Sequence, residues 1–384
     1  MILKTFGWSF GITALGLAAG LLYGGIEGLL LVAILSILEI SLSFDNAVVN
    51  AKILERMSHF WQRMFLTVGV LIAVFGMRLV FPLLIVGVTA HLGPIEAIDL
   101  ALEKGDLHEP GSYAYLLDEA HPLVASFGGM FLLMLFLDFL FDTERPNHWL
   151  TYIERPLARA GILPTASIIL ALTSLALAAE YLADDPGEVL ISGVLGLITY
   201  LLVDGLGRLF ESQGVAEDVL SEDSDEALRT VPVTRSGPSG TAKATGKAGF
   251  FLFLYVNVLD ASFSFDGVLG AFAITQDPII IALGLGIGAL YIRSFTVFLV
   301  RRGTLGDYIY LEHGAMWAIG ALAVILLLTI SIHVDELITG GIGLLFVLGG
   351  IASSVAHNKR MGGPASRRKI SPSSSEAGRG VSAS

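Results

Sequence analysis

Ten stretches of about twenty mostly apolar residues account for most of the chain, near 6–24, 28–50, 64–88, 122–142, 164–183, 188–209, 249–273, 278–300, 313–332 and 335–356. A segment of that length matches the hydrocarbon core of a bilayer. Inside it every backbone group needs an internal partner, which favours α-helices. Only 15% of the 384 residues are charged, against about 25% in soluble domains, and mean hydropathy is +0.74. The expected fold is an all-α membrane protein of about ten transmembrane helices. The stretch 6–24 reads as a retained helix, since its apolar run exceeds a usual signal-peptide core and no small-residue cleavage site follows. Cysteine is absent, which removes disulfides, thiolate ligands and cysteine nucleophiles together. The net charge of −12 describes loops and buried acids and points to no nucleic-acid partner.

The basic residues orient the spans. With the N-terminus inside, all 23 lysines and arginines except Lys104, Arg78 and Arg293 fall on inside segments, as the positive-inside rule requires. Both termini are therefore expected on the cytoplasmic side. The outside segment 89–121 is acidic (Glu96, Asp99, Glu103, Asp106, Glu109, Asp118, Glu119). It reads as a solvated loop with a short amphipathic helix, or as an antechamber that concentrates cations. Four regions result: a first transmembrane half, 1–210; a cytoplasmic linker, 211–248; a second half, 249–357; and a basic, Ser-rich tail, 358–384.

One motif occurs twice inside apolar stretches. Glu39-Ile40-Ser41-Leu42-Ser43-Phe44-Asp45-Asn46 in the second span matches Asp260-Ala261-Ser262-Phe263-Ser264-Phe265-Asp266-Gly267 in the seventh. A carboxylate at the bilayer centre is unfavourable by roughly 2.5–3.5 kcal/mol on insertion scales, so it usually has a function. The copies lie five spans apart, with four between them; an odd offset makes them antiparallel, as in transporters with inverted repeats. Each following span carries a buried arginine, Arg78 or Arg293. The next opens on an acid and a histidine with an equally spaced glycine: Glu119, His121 and Gly128, then Glu312, His313 and Gly320.

Glu39 and Asp45 are six residues apart, about 120° around an ideal helix, and cannot both face one compact site. A break at Ser-Phe-Asp-Asn/Gly is therefore expected in each copy. The candidate ligands are Glu39, Ser43, Asp45, Asn46 and Asn50 from one half, and Asn257, Asp260, Ser264 and Asp266 from the other. An all-oxygen set suits hard divalent cations such as manganese, calcium or magnesium. Arg78 and Arg293 serve as counter-charges, clustered carboxylates leave room for proton coupling, and Asp138 is a further pathway candidate. The plainer reading is that these acids pair with the two arginines and hold helices together. The glycines of the eighth and tenth spans read as close packing.

At these residues the chain resembles the TerC family of integral membrane proteins, associated with tellurium resistance. The likeness rests on Glu39, Asp45, Asn46 and Ala47, with the second copy as the degenerate partner. It implies kinship with LysE-type transporters and export of a metal ion, manganese first, as substrate and with no permanently bound cofactor. By motif match Glu39, Asp45, Asn46, Asp260 and Asp266 inherit the ion-binding role; Gly267 replaces an asparagine, which implies an asymmetric site. The chain is not expected to be an enzyme. Two other roles stay open: a membrane anchor or assembly partner in a metal-stress complex, and an intramembrane aspartyl hydrolase using Asp45 and Asp266 as a dyad. The expected partners are the bilayer, the divalent cation, protons as coupling ion, and further copies of the chain.

Overall fold

A computed structural model describes residues 2–103, 105–143, 145, 147–160, 165–221, 244, 246–275, 277–302, 308–332, 334 and 336–361. In some helical stretches only the backbone is described: 2–5, 41–42, 44–45, 70, 160, 207–221, 263–266, 269–270, 273, 301–302 and 336–337. The regular elements are helices: α1 (Ile2–Leu42), α2 (Phe44–Arg56), α3 (His59–Leu71), a π-helical stretch (Ile72–Val80), α4 (Phe81–Thr89), α5 (Pro94–Leu102), α6 (Tyr113–Glu119), α7 (His121–Phe141), α8 (Thr151–Ala160), α9 (Ala166–Leu182), α10 (Pro186–Ser221), α11 (Gly246–Ile274), α12 (Pro278–Arg302), α13 (Leu311–Leu328) and α14 (Glu336–Arg360). Seven helices among the described residues are long and apolar enough to cross a membrane, and α9 is a shorter apolar helix. The chain has the fold of a multi-pass membrane protein.

One of those seven is two legs. At Gly25 the backbone reaches φ 66°, a conformation open to glycine, and the chain turns back. Gly20 and Gly28 would stand about 12 Å apart along a straight helix. Instead a Cβ on Gly20 would lie 3.1 Å from the Gly28 carbonyl oxygen. Both legs rest on α12 through bare glycine faces: Gly16 meets Ile287 on the first leg, and Gly284 meets Leu35 on the second. Gly24 and Gly28 both face Ile280, so the first leg runs antiparallel to α12 and the second parallel to it.

The core lies around α7. Met130, Phe131, Leu132 and Met134 are buried and pack with residues of α10, α11 and α13. Large apolar side chains face outward along the legs of α1 (Trp8, Leu15, Leu22), along α9 and α10 (Ile169, Ile191), and on α14 (Leu345). Water would penalise so continuous an apolar exterior, whereas lipid solvates it.

The helix ends sort into two sets. At one end Gly24 and Gly28 meet Ile280, and the Tyr113 and Phe272 rings lie 5.6 Å apart. At the other, Lys52 pairs with Glu312 at 3.2 Å, the Ser58 amide donates to the Ala244 carbonyl at 3.0 Å, and Trp149 Nε1 donates to Ser353 Oγ at 3.0 Å. The charge-rich connections expected inside thus share one end, and the acidic segment 89–121 sits at the other. That acidic segment holds two short helices, α5 and α6, where one was expected. α10 extends to Ser221, into the stretch expected as linker; residues 222–243 and the tail 362–384 lie outside the described residues.

Candidate functional site

The first motif copy breaks at its second serine. α1 ends at Leu42, Ser43 adopts φ −99° and ψ 13°, and α2 starts at Phe44. The Ser43 hydroxyl donates to Glu39 Oε1 at 3.0 Å, while the Ser43 amide donates to the Glu39 carbonyl at 3.0 Å, so the chain turns and still keeps that backbone bond. The second copy does not break. α11 runs unbroken from Gly246 to Ile274, which corrects the expectation of a break in both. The asymmetry begins in the backbone.

Glu39, on the second leg of α1, is 2% exposed. Its Oε1 accepts from Arg78 Nη2, and Arg78 Nη1 donates to the Ala73 carbonyl, so one guanidinium spans the acid and the π-helical backbone. Asp260, on α11, accepts from Arg293 Nη2 at 2.7 Å and from Asn50 Nδ2 at 2.8 Å. Arg293 also donates to the Phe65 carbonyl at 3.0 Å and lies 4.0 Å from the Phe65 ring centroid. In each half, then, the first acid of the motif pairs with the arginine of the following span. Burying an ion pair is tolerable only when its remaining donors and acceptors are met, and these backbone carbonyls meet part of that need.

Between the two pairs lies a cavity of about 20 Å³, lined by Glu39, Ser43, Asn46, Asn50, Ala73, Arg78, Asp260, Ala289, Ile292 and Arg293. That is on the scale of one water-sized occupant. Asn50 is 1% exposed, and its Oδ1 accepts no hydrogen bond among the described residues. A buried amide oxygen left without a donor is unfavourable by about 1–3 kcal/mol, and a cation or a proton donor in the cavity would satisfy it. Two glycines make room for Glu39. A Cβ on Gly288 would fall 2.5 Å from Glu39 Cβ, and one on Gly267 would fall 3.1 Å from Glu39 Oε2. The loss of an asparagine at 267 therefore has a steric reason: the position faces the opposite half's carboxylate.

The remaining expected residues divide clearly. The side chains of Asp45, Ser264 and Asp266 lie outside the described residues. Asn257 donates its amide to the Phe253 carbonyl at 2.6 Å and does not line the cavity. Asp138 accepts from Tyr200 at 2.8 Å, on α7 and away from the cavity lining. Among the described residues no three or more histidine and carboxylate side chains converge on a common point. The structure adds what the sequence did not single out: the Ala73 and Phe65 carbonyls, the Phe65 ring and Gly288. Backbone acceptors leave no mark in a sequence, though the spacing Gly284-x-Gly286-x-Gly288 was a sign that something large lay against α12.

The acid–histidine resemblance between the halves has another meaning. His313 is buried and sits 2.9 Å from the Asn147 carbonyl and 3.6 Å from Glu154. Glu154, fully buried, accepts from the Trp149 amide and from Trp317 Nε1, each at 3.0 Å. These bonds tie α8 to α13 at the basic end. Beside them burial holds the Arg145 guanidinium below its usual range, against the pull of Glu154, Asp142 and Glu312.

No curated protein and no solved structure matches the chain. A family model described as "Protein of unknown function (DUF475)" matches residues 44–361, a span that takes in Asp45, Arg78, both acids of the second copy and Arg293, and the chain belongs to that family.

Proposed function

We propose that the protein is an inner-membrane transporter that exports a divalent cation, manganese first, through the site between the two acid–arginine pairs. The observation that carries the reading is the repeated pairing. Two carboxylates from matching places in the two halves flank one cavity within apolar helices, together with an unsatisfied amide oxygen. Helix association alone explains this poorly, because polar contacts between membrane helices average below about 1 kcal/mol while each buried charge is opposed by more.

Taking the two legs of α1 separately and adding α9 and α11 to the helices long enough to span gives the ten crossings of the sequence reading. The shared acid–arginine pattern supports an inverted repeat, and the resemblance to TerC proteins supports export and manganese. Cytoplasmic termini follow from the positive-inside rule. Transport begins with a cation competing with Arg78 for Glu39 and with Arg293 for Asp260. Asn50 Oδ1, Asn46 and the hydroxyl of Ser43 complete an oxygen shell of the kind hard cations favour. Asp45 and Asp266 are assigned to the same pathway by the motif, and protons released or taken up by the carboxylates would couple the cycle.

The test is metal flux in proteoliposomes holding the wild type or the Asp45→Asn/Asp266→Asn double variant, with manganese, calcium, magnesium and zinc, with and without a pH gradient. Manganese flux that disappears in the folded double variant supports the reading. Absence of flux for every ion, with folding intact, overturns it in favour of a membrane anchor or assembly partner whose acids only hold helices.

A further inference from the structure

Arg78 belongs to two cavities at once. On one side it closes the site, through Glu39 and the Ala73 carbonyl. On the other it lines a second cavity of about 80 Å³, whose walls include Leu83 of α4, Ile98 and Leu102 of α5, Tyr113 of α6 and Phe272 of α11. That cavity lies at the end of the molecule where α5 and α6 cross it. The acids Glu96, Asp99, Glu103, Asp118 and Glu119 on and beside those two short helices are all exposed.

We propose that the 80 Å³ cavity is the vestibule through which the site communicates with the α5–α6 side of the membrane, and that Arg78 is the gate between the two. The inference rests on the cation-transport reading and names the route and the barrier for that site. Three observations carry it. Among the described residues Arg78 is the one common to both linings. It is held by a π-helical stretch, and such irregularities inside helices frequently mark functional sites. The vestibule walls are otherwise almost wholly apolar, a lining that holds water poorly while closed and can gate by wetting. The positive charge of Arg78 bars cations until Glu39 releases it, and the exposed acids at the mouth concentrate cations there.

The natural absence of cysteine permits a direct test in sealed vesicles of either orientation. Ile98→Cys reports the vestibule rim and Ala289→Cys reports the site; each is exposed to a membrane-impermeant methanethiosulfonate. With Arg78 in place, Ile98→Cys reacts from the α5–α6 side and Ala289→Cys is protected. Adding Arg78→Gln is expected to speed modification of Ala289→Cys from that side by about tenfold, equivalent to about 1.4 kcal/mol of shifted population. Arg78→Lys, which keeps the charge but replaces the planar fork by a single ammonium, is expected to speed it less and serves if Arg78→Gln fails to fold. An unchanged rate in the folded variants, or equal acceleration from both sides, overturns the proposal. Labelling needs no turnover, so the two readings fail separately. Accelerated labelling without manganese flux sinks the transport reading and leaves the gate; flux with unchanged labelling does the reverse.

Discussion

A buried charge is worth what its partner makes it worth, and Glu39 shows this most directly. Removing Arg78 leaves the carboxylate, 2% exposed, without its counter-charge. Arg78→Gln is expected to destabilise the protein by about 3–5 kcal/mol, whereas Arg78→Gln/Glu39→Gln should recover most of that loss. Denaturant titration in detergent micelles measures both, and additive losses would contradict the pairing. Gly267→Asn restores the amide found in the first copy but forces a side chain against Glu39 Oε2. It is expected to lower stability by about 1–3 kcal/mol, read as a fall in melting temperature, and to weaken manganese binding in calorimetry. That carboxylates and arginines lie together among apolar helices was legible, because charge in an apolar run is rare. Which acid meets which arginine was not, since Glu39 and Arg78 are far apart in the chain and only packing brings them together.

Among the elements, the motif helices and the π-helical stretch decide where those groups point. The break at Ser43 was legible, because Glu39 and Asp45 could not share a face on a regular helix. The intact α11 was not: the same spacing of two acids recurs there, yet the helix runs through from Gly246 to Ile274, with Ser262, the counterpart of Ser41, bonding back to the Val258 carbonyl at 3.1 Å. The π-helical stretch was also invisible beforehand, since Arg78 marks the span Ile72–Val80 as unusual in charge but no residue in it marks a change of helix type. Deleting Phe75, an exposed residue within it, should return the stretch to α-helical geometry and turn Arg78 by about 100° away from Glu39. The deletion is expected to match Arg78→Gln in its loss of stability; a wild-type melting curve would show that the π geometry does not place the arginine.

Across the whole molecule the first leg of α1 lies against α12, with Ser9 Oγ 2.7 Å from Ser294 Oγ. Ser9→Cys/Ser294→Cys is therefore expected to form a disulfide on mild oxidation in a chain otherwise free of cysteine. The readout is faster migration on a non-reducing gel, and failure to cross-link would reject the fold-back at Gly25. The sequence by itself determined that the chain is helical and membrane-embedded, roughly where its spans fall, that its two halves echo each other, and that carboxylates and arginines lie among apolar residues. Those properties follow from the local solvation of backbone and side chains, which composition and spacing express. Only the tertiary structure decided that Gly25 reverses the first helix, that Gly267 and Gly288 make way for Glu39, and that Arg78 stands between two cavities. Each of these depends on close approach between distant segments, and steric fit of that kind is set by packing.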